Sequence, residues 1–439
     1  MIALDLLVVS TALNTIRTEL GASAVELQWT VTGYSLSFAA LLMTGAALGD
    51  RFGRRRMFAG GLGLFIAASA ACALSGSVEA LIADRVVQGV GAALTIPVAL
   101  ALVSAAFPTE RRGKAIGILE GVTGLATVGG PIIGGVLAGG IGWEWIFWIN
   151  VPIGLIAIGL ALSGLSESFG ADTALDVRGI ALITGGALGV VWGLVRGNTV
   201  GWASLEIIAS LTVGGALIAA FVAWELRARE PMLPMSFFRS RAFSAAGAAS
   251  FFLFAALYGS VFFMAQFLQT SLGYTPLEAG LLLVPWTATL IVFAPIAGAL
   301  GDRIGERPLV VGGLAVNAAG LGAIALLAEP GLPYWRLLVA LIVTGIGASA
   351  TIPGVQSALI GAVAPTAVGK ASGANNMVQE LGGAFGVAIL VAVFTAFGGF
   401  LSAEAFSDGF APALGAGAAL ALAGAMAGAG LPGREGAAQ

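Results

Sequence analysis

Four ionisable side chains sit inside long apolar runs of this 439-residue chain, namely Asp5, Arg85, Glu120 and Glu380. A charged group among apolar neighbours is costly to keep and persists mainly where it meets a partner, a cavity or an ion path. An apolar surround also disfavours the charged form of a carboxyl, so such a residue can take up and release a proton. The chain has no His and a single Cys, Cys72, so the usual ligands of zinc, haem and iron-sulfur centres are missing and no metal site is expected. Without His, any proton relay must run through carboxylates. The nearest approach to a phosphate-binding loop, Gly369-Lys370, is followed by Ala371 and preceded by Ala364, so both flanking requirements fail and ATP-driven chemistry is set aside.

Arg85 and Glu120 have plainer alternatives. Arg85 adjoins Asp84 and could pair with it or snorkel towards the outer surface. Glu120 lies about a turn and a half from Lys114, within reach of a basic loop. Glu380, in Gln379-Glu380-Leu381-Gly382-Gly383, is deeper in its run, which favours a cavity role.

The elements that must hold these groups are membrane spans. Hydrophobic residues make up 58% of the chain, charged residues 10%, and the mean hydropathy is +0.98, so lipid is most of its solvent. A hydrocarbon core needs about 20 apolar residues per helix. That window gives fourteen spans, at 1–16, 29–49, 57–75, 80–103, 115–141, 146–165, 179–195, 205–224, 242–268, 277–300, 309–328, 337–359, 376–397 and 411–431. The first is short, and the true start is expected upstream of Met1. Of the 20 Lys and Arg, 16 fall in loops on the side of Asp50 to Arg56, three (Arg17, Arg196, Arg336) fall on the other, and Arg85 lies within a span. This asymmetry places both termini in the cytoplasm. Trp29, Trp143, Trp145, Trp202 and Trp335 fall at outer span ends, as interfacial anchors do. The Phe-rich run from Phe251 to Phe267 reads chiefly as lipid contact.

Internal repetition organises the chain. Leu48-Gly49-Asp50-Arg51-Phe52-Gly53 recurs as Leu300-Gly301-Asp302-Arg303-Ile304-Gly305, an offset of 252 (302 minus 50). Gly89-Val90-Gly91-Ala92, Thr95-Ile96-Pro97 and Gly113-Lys114-Ala115 recur from Gly345, Thr351 and Gly369 at an offset of 256 (369 minus 113). Two homologous six-span halves are expected, 1–165 and 242–431, with two unmatched helices at 179–224 between them. Twofold-related bundles of this kind build the alternating access of many secondary transporters.

With these motifs the chain resembles the fourteen-span drug:proton antiporter branch of the major facilitator superfamily over essentially its whole length. The family's loop signature appears as Ala46-Ala47-Leu48-Gly49-Asp50-Arg51-Phe52-Gly53-Arg54-Arg55, with Ala46 in place of a Gly; its second copy keeps Gly298 but has Glu306 where a basic residue is expected. An Asp at a helix end can pair with Arg and with a neighbouring helix N-terminus. Asp50, Arg51, Gly53, Arg54, Asp302 and Arg303 thus form a candidate conformational latch, and a plain topogenic loop is the alternative. The fourth-span signature is complete in Arg85, Gln88, Gly89, Gly91 and Ala92. The antiporter signature of the fifth span is carried by Gly117, Gly130, Pro131, Gly134 and Gly135, with Ala126 replacing a Gly; a Pro among glycines suits a hinge, and plain packing is the alternative. Leu4-Asp5-Leu6-Leu7-Val8-Val9 is similar to the first-span motif, with departures at Leu7, Ser10 and Asn14.

The resemblance implies an all-α polytopic membrane protein and no enzyme. It implies export of a small lipophilic molecule in exchange for protons, by two bundles tilting in alternating access. Asp5 is the first choice as proton carrier, ahead of Glu380 and Glu120, and Arg85 would tune it. The driving force would be a proton gradient with no cofactor, in the plasma membrane, with lipid, protons and substrate as partners, no nucleic acid, and a monomeric chain. Facilitated uptake of a polar solute and a non-transporting receptor stay open as alternatives.

Overall fold

Small residues set how closely these helices approach. The computed structural model describes residues 1–106, 122, 126, 129–169, 176–228, 231, 233–363 and 368–433, and all regular structure among them is helical. The chain runs through α1 (Ile2–Leu20), α2 (Ala24–Phe52), α3 (Arg54–Leu74), α4 (Val78–Ala106), α5 (Gly129–Gly140), α6 (Trp145–Gly164), α7 (Val177–Val200) and α8 (Leu205–Glu225). A 3-10 turn at Met235–Arg239 leads into α9 (Arg241–Thr270). There follow α10 (Pro276–Thr287, continued after Ala288 by Thr289–Ile304), α11 (Glu306–Leu327), α12 (Tyr334–Gly361), α13 (Val368–Phe397) and α14 (Ala403–Gly428). Among the described residues 11 helices are long and apolar enough to cross a membrane, or 12 if α2, bent by 49° between Leu42 and Thr44, is one span. Much of the expected fifth span, including Gly117 and Glu120, lies outside the described residues.

Contacts divide the chain into two compact units. One comprises Met1–Val190 and Thr212–Leu233, the other Val191–Leu211 and Pro234–Gln439. In the first, α4 packs on α2 and on α3; in the second, α12 packs on α11, and α9 on α13 and α14.

Local structure repeats along with the sequence. Ser23 and Glu26 form a capping box at the start of α2, and Thr275 and Glu278 form another at the start of α10, again 252 residues on (275 minus 23). Gly53 joins α2 to α3 at φ +104°, and Gly305 joins α10 to α11 at φ +87°, both in the left-handed region that favours Gly. A Cβ on Gly89 would strike the Tyr34 carbonyl and Ser37; on Gly345 it would strike the Trp286 carbonyl and Thr289. Thr95 Oγ1 donates to the Gly91 carbonyl at 2.7 Å and Thr351 Oγ1 to the Gly347 carbonyl at 2.8 Å.

Two expectations change. Phe262, Phe263 and Phe267 are buried at 2%, 0% and 0% exposure, with Phe267 stacked on Phe410 at 4.2 Å between centroids, so these rings form the core of the second unit. Their spacing could not separate a lipid-facing stripe from a helix-facing one. Trp143 is buried as well, its Nε1 donating to Glu19 at 3.0 Å, whereas Trp145, Trp202 and Trp335 are exposed.

Candidate functional site

Five helices of the first unit converge on one buried polar cluster. Arg85 and Gln88, three residues apart, share a face of α4, as Ser69 and Cys72 do on α3, Thr30 and Tyr34 on α2, and Phe147 and Asn150 on α6. Asp5 enters from the first turn of α1. Asp5 is 1% exposed, and Arg85, Gln88, Ser69 and Asn150 are all at 0%. The glycines of the fourth-span signature make the convergence possible. Gly89 lets α4 rest on α2, and a Cβ on Gly91 would come within 2.6 Å of the Phe65 backbone nitrogen on α3.

Arg85 pairs with Asp5 rather than with Asp84, which instead accepts a hydrogen bond from Ser75 at 3.0 Å. Arg85 Nη1 donates to Asp5 Oδ2 and, at 2.6 Å, to Gln88 Oε1, while Nε donates to the Thr30 carbonyl at 3.0 Å. The guanidinium lies over the Tyr34 ring at 4.3 Å and over the Phe147 ring at 5.8 Å from the centroids, within the range of cation–π attraction. The other carboxylate oxygen, Asp5 Oδ1, accepts from Gln88 Nε2 at 3.1 Å and from Asn150 Nδ2 at 3.0 Å. Both amides also donate to Ser69 Oγ, at 2.6 and 3.2 Å. One buried cation is thus matched by one buried anion, and both oxygens of that anion accept hydrogen bonds, which helps to hold charge in a low-dielectric interior, while Arg85 Nη2 and Asn150 Oδ1 have no hydrogen-bond partner.

The fifth-span residues lie close by. Gly130, Pro131, Gly134 and Gly135 are buried, and a Cβ on Gly134 would come within 2.7 Å of the Val8 carbonyl, so α5 lies directly against the helix that carries Asp5.

The latch residues form a separate cluster at the junction of α2 and α3. Asp50 Oδ1 accepts from Arg54 Nε at 2.8 Å and lies 2.7 Å from Arg54 Nη2. Within this unit the N-terminus of α3 is met by Glu167 rather than Asp50: the backbone N–H groups of Arg55 and Arg56 donate to its carboxylate at 2.8 and 3.3 Å. A negative charge on the first turn of a helix is favourable for both its dipole and its unpaired N–H groups. Arg51 is exposed, over the Phe52 ring at 5.5 Å. In the second copy, Asp302 and Arg303 lie in the last turn of α10, and Glu306 Oε1 accepts from Ser357 Oγ at 3.1 Å.

Glu380 belongs to the second unit. It is 7% exposed on α13 and accepts from Tyr258 Oη of α9 at 3.2 Å, beside a Ser250–Asn375 hydrogen bond of 2.9 Å. Gly382 and Gly386 bring the two helices together, since a Cβ on either would strike the α9 backbone.

Ser69, Asn150, Glu167 and Tyr258 were not singled out by motif or charge. Asn150 carried a usable signal, a lone amide inside the apolar run 146–165, because amides in a span tend to bond across helices.

The comparisons agree with this architecture. The profile of the Major Facilitator Superfamily matches residues 1–240 and 246–436. The tetracenomycin C resistance and export protein of Streptomyces glaucescens is 37% identical over 393 residues, 89% of this chain and 73% of that protein. The methylenomycin A resistance protein of Streptomyces coelicolor is 34% identical over 396 residues, 89% of this chain and 82% of that protein. A peptide transporter of the POT type, crystallised with sulfate, shares the fold at a TM-score of 0.68 and 16% identity, covering 96% of this chain and 92% of that one. Matched along nearly its whole length and folded as an all-helical membrane protein, the chain belongs to the Major Facilitator Superfamily and is a transporter, not an enzyme.

Proposed function

We propose that this transporter is a proton-coupled antiporter of the fourteen-span drug:proton branch. It exports small lipophilic molecules such as drugs or antibiotics across the plasma membrane by alternating access, with both termini in the cytoplasm. The observation that carries the reading is the Asp5–Arg85 pair, fully buried in the first unit with both Asp5 oxygens accepting hydrogen bonds. The names of the relatives, which speak of antibiotic resistance and export, support the direction and the substrate class.

Coupling requires only that proton and substrate favour opposite-facing states. Neutralising Asp5 strands the Arg85 cation, and breaking a buried pair from one side costs about 3–5 kcal/mol. A conformation that opens the pair to water relieves that cost, so proton uptake selects it. A substrate that favours the closed, charged pair then exchanges against the proton. The chain works as a monomer without a cofactor, driven by the proton gradient, with Glu380 and Glu120 as second-rank carriers.

The test is uptake of tetracenomycin C into proteoliposomes under an imposed acid-inside gradient. Wild type accumulates the compound, and Asp5→Asn loses accumulation while keeping gradient-independent exchange. Wild-type flux indifferent to the gradient overturns antiport; unchanged coupling in Asp5→Asn moves the proton site to Glu380 or Glu120.

A further inference from the structure

The two oxygens of Asp5 are not equivalent. Oδ1 accepts two amide hydrogens, one from Gln88 at 3.1 Å and one from Asn150 at 3.0 Å, whereas Oδ2 accepts from Arg85 Nη1. A carboxylate offers about two acceptor sites per oxygen. Oδ1 is therefore full, and the free site belongs to Oδ2. Ser69 locks the arrangement: each amide uses its second hydrogen on Ser69 Oγ, at 2.6 Å for Gln88 and 3.2 Å for Asn150, so neither can rotate away without losing two bonds.

We infer that Asn150 is a positioning residue for coupling, which with Gln88 and Ser69 closes Oδ1 so that an incoming proton must land on Oδ2, the oxygen that holds Arg85. The inference rests on the proton-coupled reading above and deepens it. An O–H bond forms at the free site of Oδ2 with a proton given up by hydronium, which leaves water; Oδ2 becomes a neutral hydroxyl oxygen and a poor acceptor, so Arg85 Nη1 loses its charge partner and its hydrogen bond together, and no electrons move. A proton on Oδ1 would instead displace an amide and leave Oδ2 a carbonyl oxygen, neutral but still able to accept from Arg85 Nη1. Asn150 thus makes proton binding and Arg85 release one event, and its loss opens a route by which Asp5 is protonated with the arginine still held. No other ionisable side chain hydrogen-bonds to Asp5 among the described residues.

The experiment compares wild type, Asn150→Leu and Asn150→Gln in proteoliposomes, with tetracenomycin C as probe. It reads gradient-driven accumulation, gradient-independent exchange and the infrared difference band of the Asp5 carboxyl, identified by its loss in Asp5→Asn. Asn150→Leu is expected to keep exchange within about threefold, to lose accumulation at least fivefold, and to shift the Asp5 band; Asn150→Gln, which retains an amide donor, is expected to recover much of the accumulation. Should Asn150→Leu fail to purify, Ser69→Ala unlocks the same amides and takes its place. Full accumulation and an unshifted Asp5 band in these variants overturn the positioning role. Absence of any band lost in Asp5→Asn would point instead to failure of the proton-coupled reading itself.

Discussion

Replacing Asp5 with Asn removes one charge and keeps the shape of the side chain, so the fate of Arg85 can be measured directly. In the native arrangement the guanidinium is at 0% exposure and rests on Asp5, Gln88 Oε1, the Thr30 carbonyl and the Tyr34 face. Three of these four survive the substitution, but all three are neutral. One-sided removal of a buried pair costs about 3–5 kcal/mol, and the remaining acceptors hold the cost near the lower end, about 3 kcal/mol. At about 2–4 °C per kcal/mol for a domain of some 150–250 residues, the thermal midpoint of the first unit falls by on the order of 10 °C. The assay is unfolding of purified protein in detergent, followed by Trp fluorescence. The decisive variant is Arg85→Met in the Asp5→Asn background. With the stranded cation gone and an apolar side chain of similar length in its place, at least half of the lost stability returns. If Arg85→Met lowers the midpoint by the same amount with or without Asp5, the two residues act independently and the ion-pair reasoning fails.

The other predictions concern the scaffold. Gly53→Ala lowers the thermal midpoint more than Gly305→Ala: both place a Cβ at positive φ, at about 1–2 kcal/mol, but only Gly53 also brings it to 2.8 Å from the Glu167 carboxyl. Glu167→Gln keeps the side chain's size and loses its charge over the α3 N-terminus. It destabilises by about 1–2 kcal/mol, a loss that shrinks when the melt is repeated in high salt. Gly89→Val and Gly345→Val each force a side chain into a backbone carbonyl on the facing helix and reduce membrane yield and melting temperature alike, by about 1–3 kcal/mol or more each. Glu380→Ala in the second unit leaves the infrared band of Asp5 in place, whereas Arg85→Met shifts it.

Much of this was readable from single helices, and the remainder depended on which helices meet. Arg85 drew attention because a guanidinium within a span needs a reason, and Gln88, Gly89 and Gly91 came with the resemblance to the family's fourth-span signature. The partner of Arg85 lies 80 residues away on α1, a pairing that spacing alone does not contain; adjacency in sequence pointed equally to Asp84, which faces Ser75. Asn150 and Ser69 went unnoticed because neutral polar side chains are tolerated in spans at low cost, so neither stood out by energy. Glu167 was passed over for the opposite reason, since a carboxylate in a loop is unremarkable until the start of α3 is seen against it. The glycine offsets of 252 and 256, by contrast, foretold contacts that recur in both units, because close approach leaves its mark on the one residue type that permits it.

That recurrence separates two kinds of position. At several close contacts between helices of one unit both copies agree: Gly89 with Gly345, Gly91 with Gly347, Thr95 with Thr351. Around the ion pair they diverge, for the counterparts of Arg85, Gln88 and Ser69 are Leu341, Thr344 and Leu321. An ancestral duplication of this sort yields a chassis inherited intact and a working surface that one half is free to rewrite. New cargo or a new driving ion can then evolve by editing side chains in a single half, while the joints between helices stay as they were.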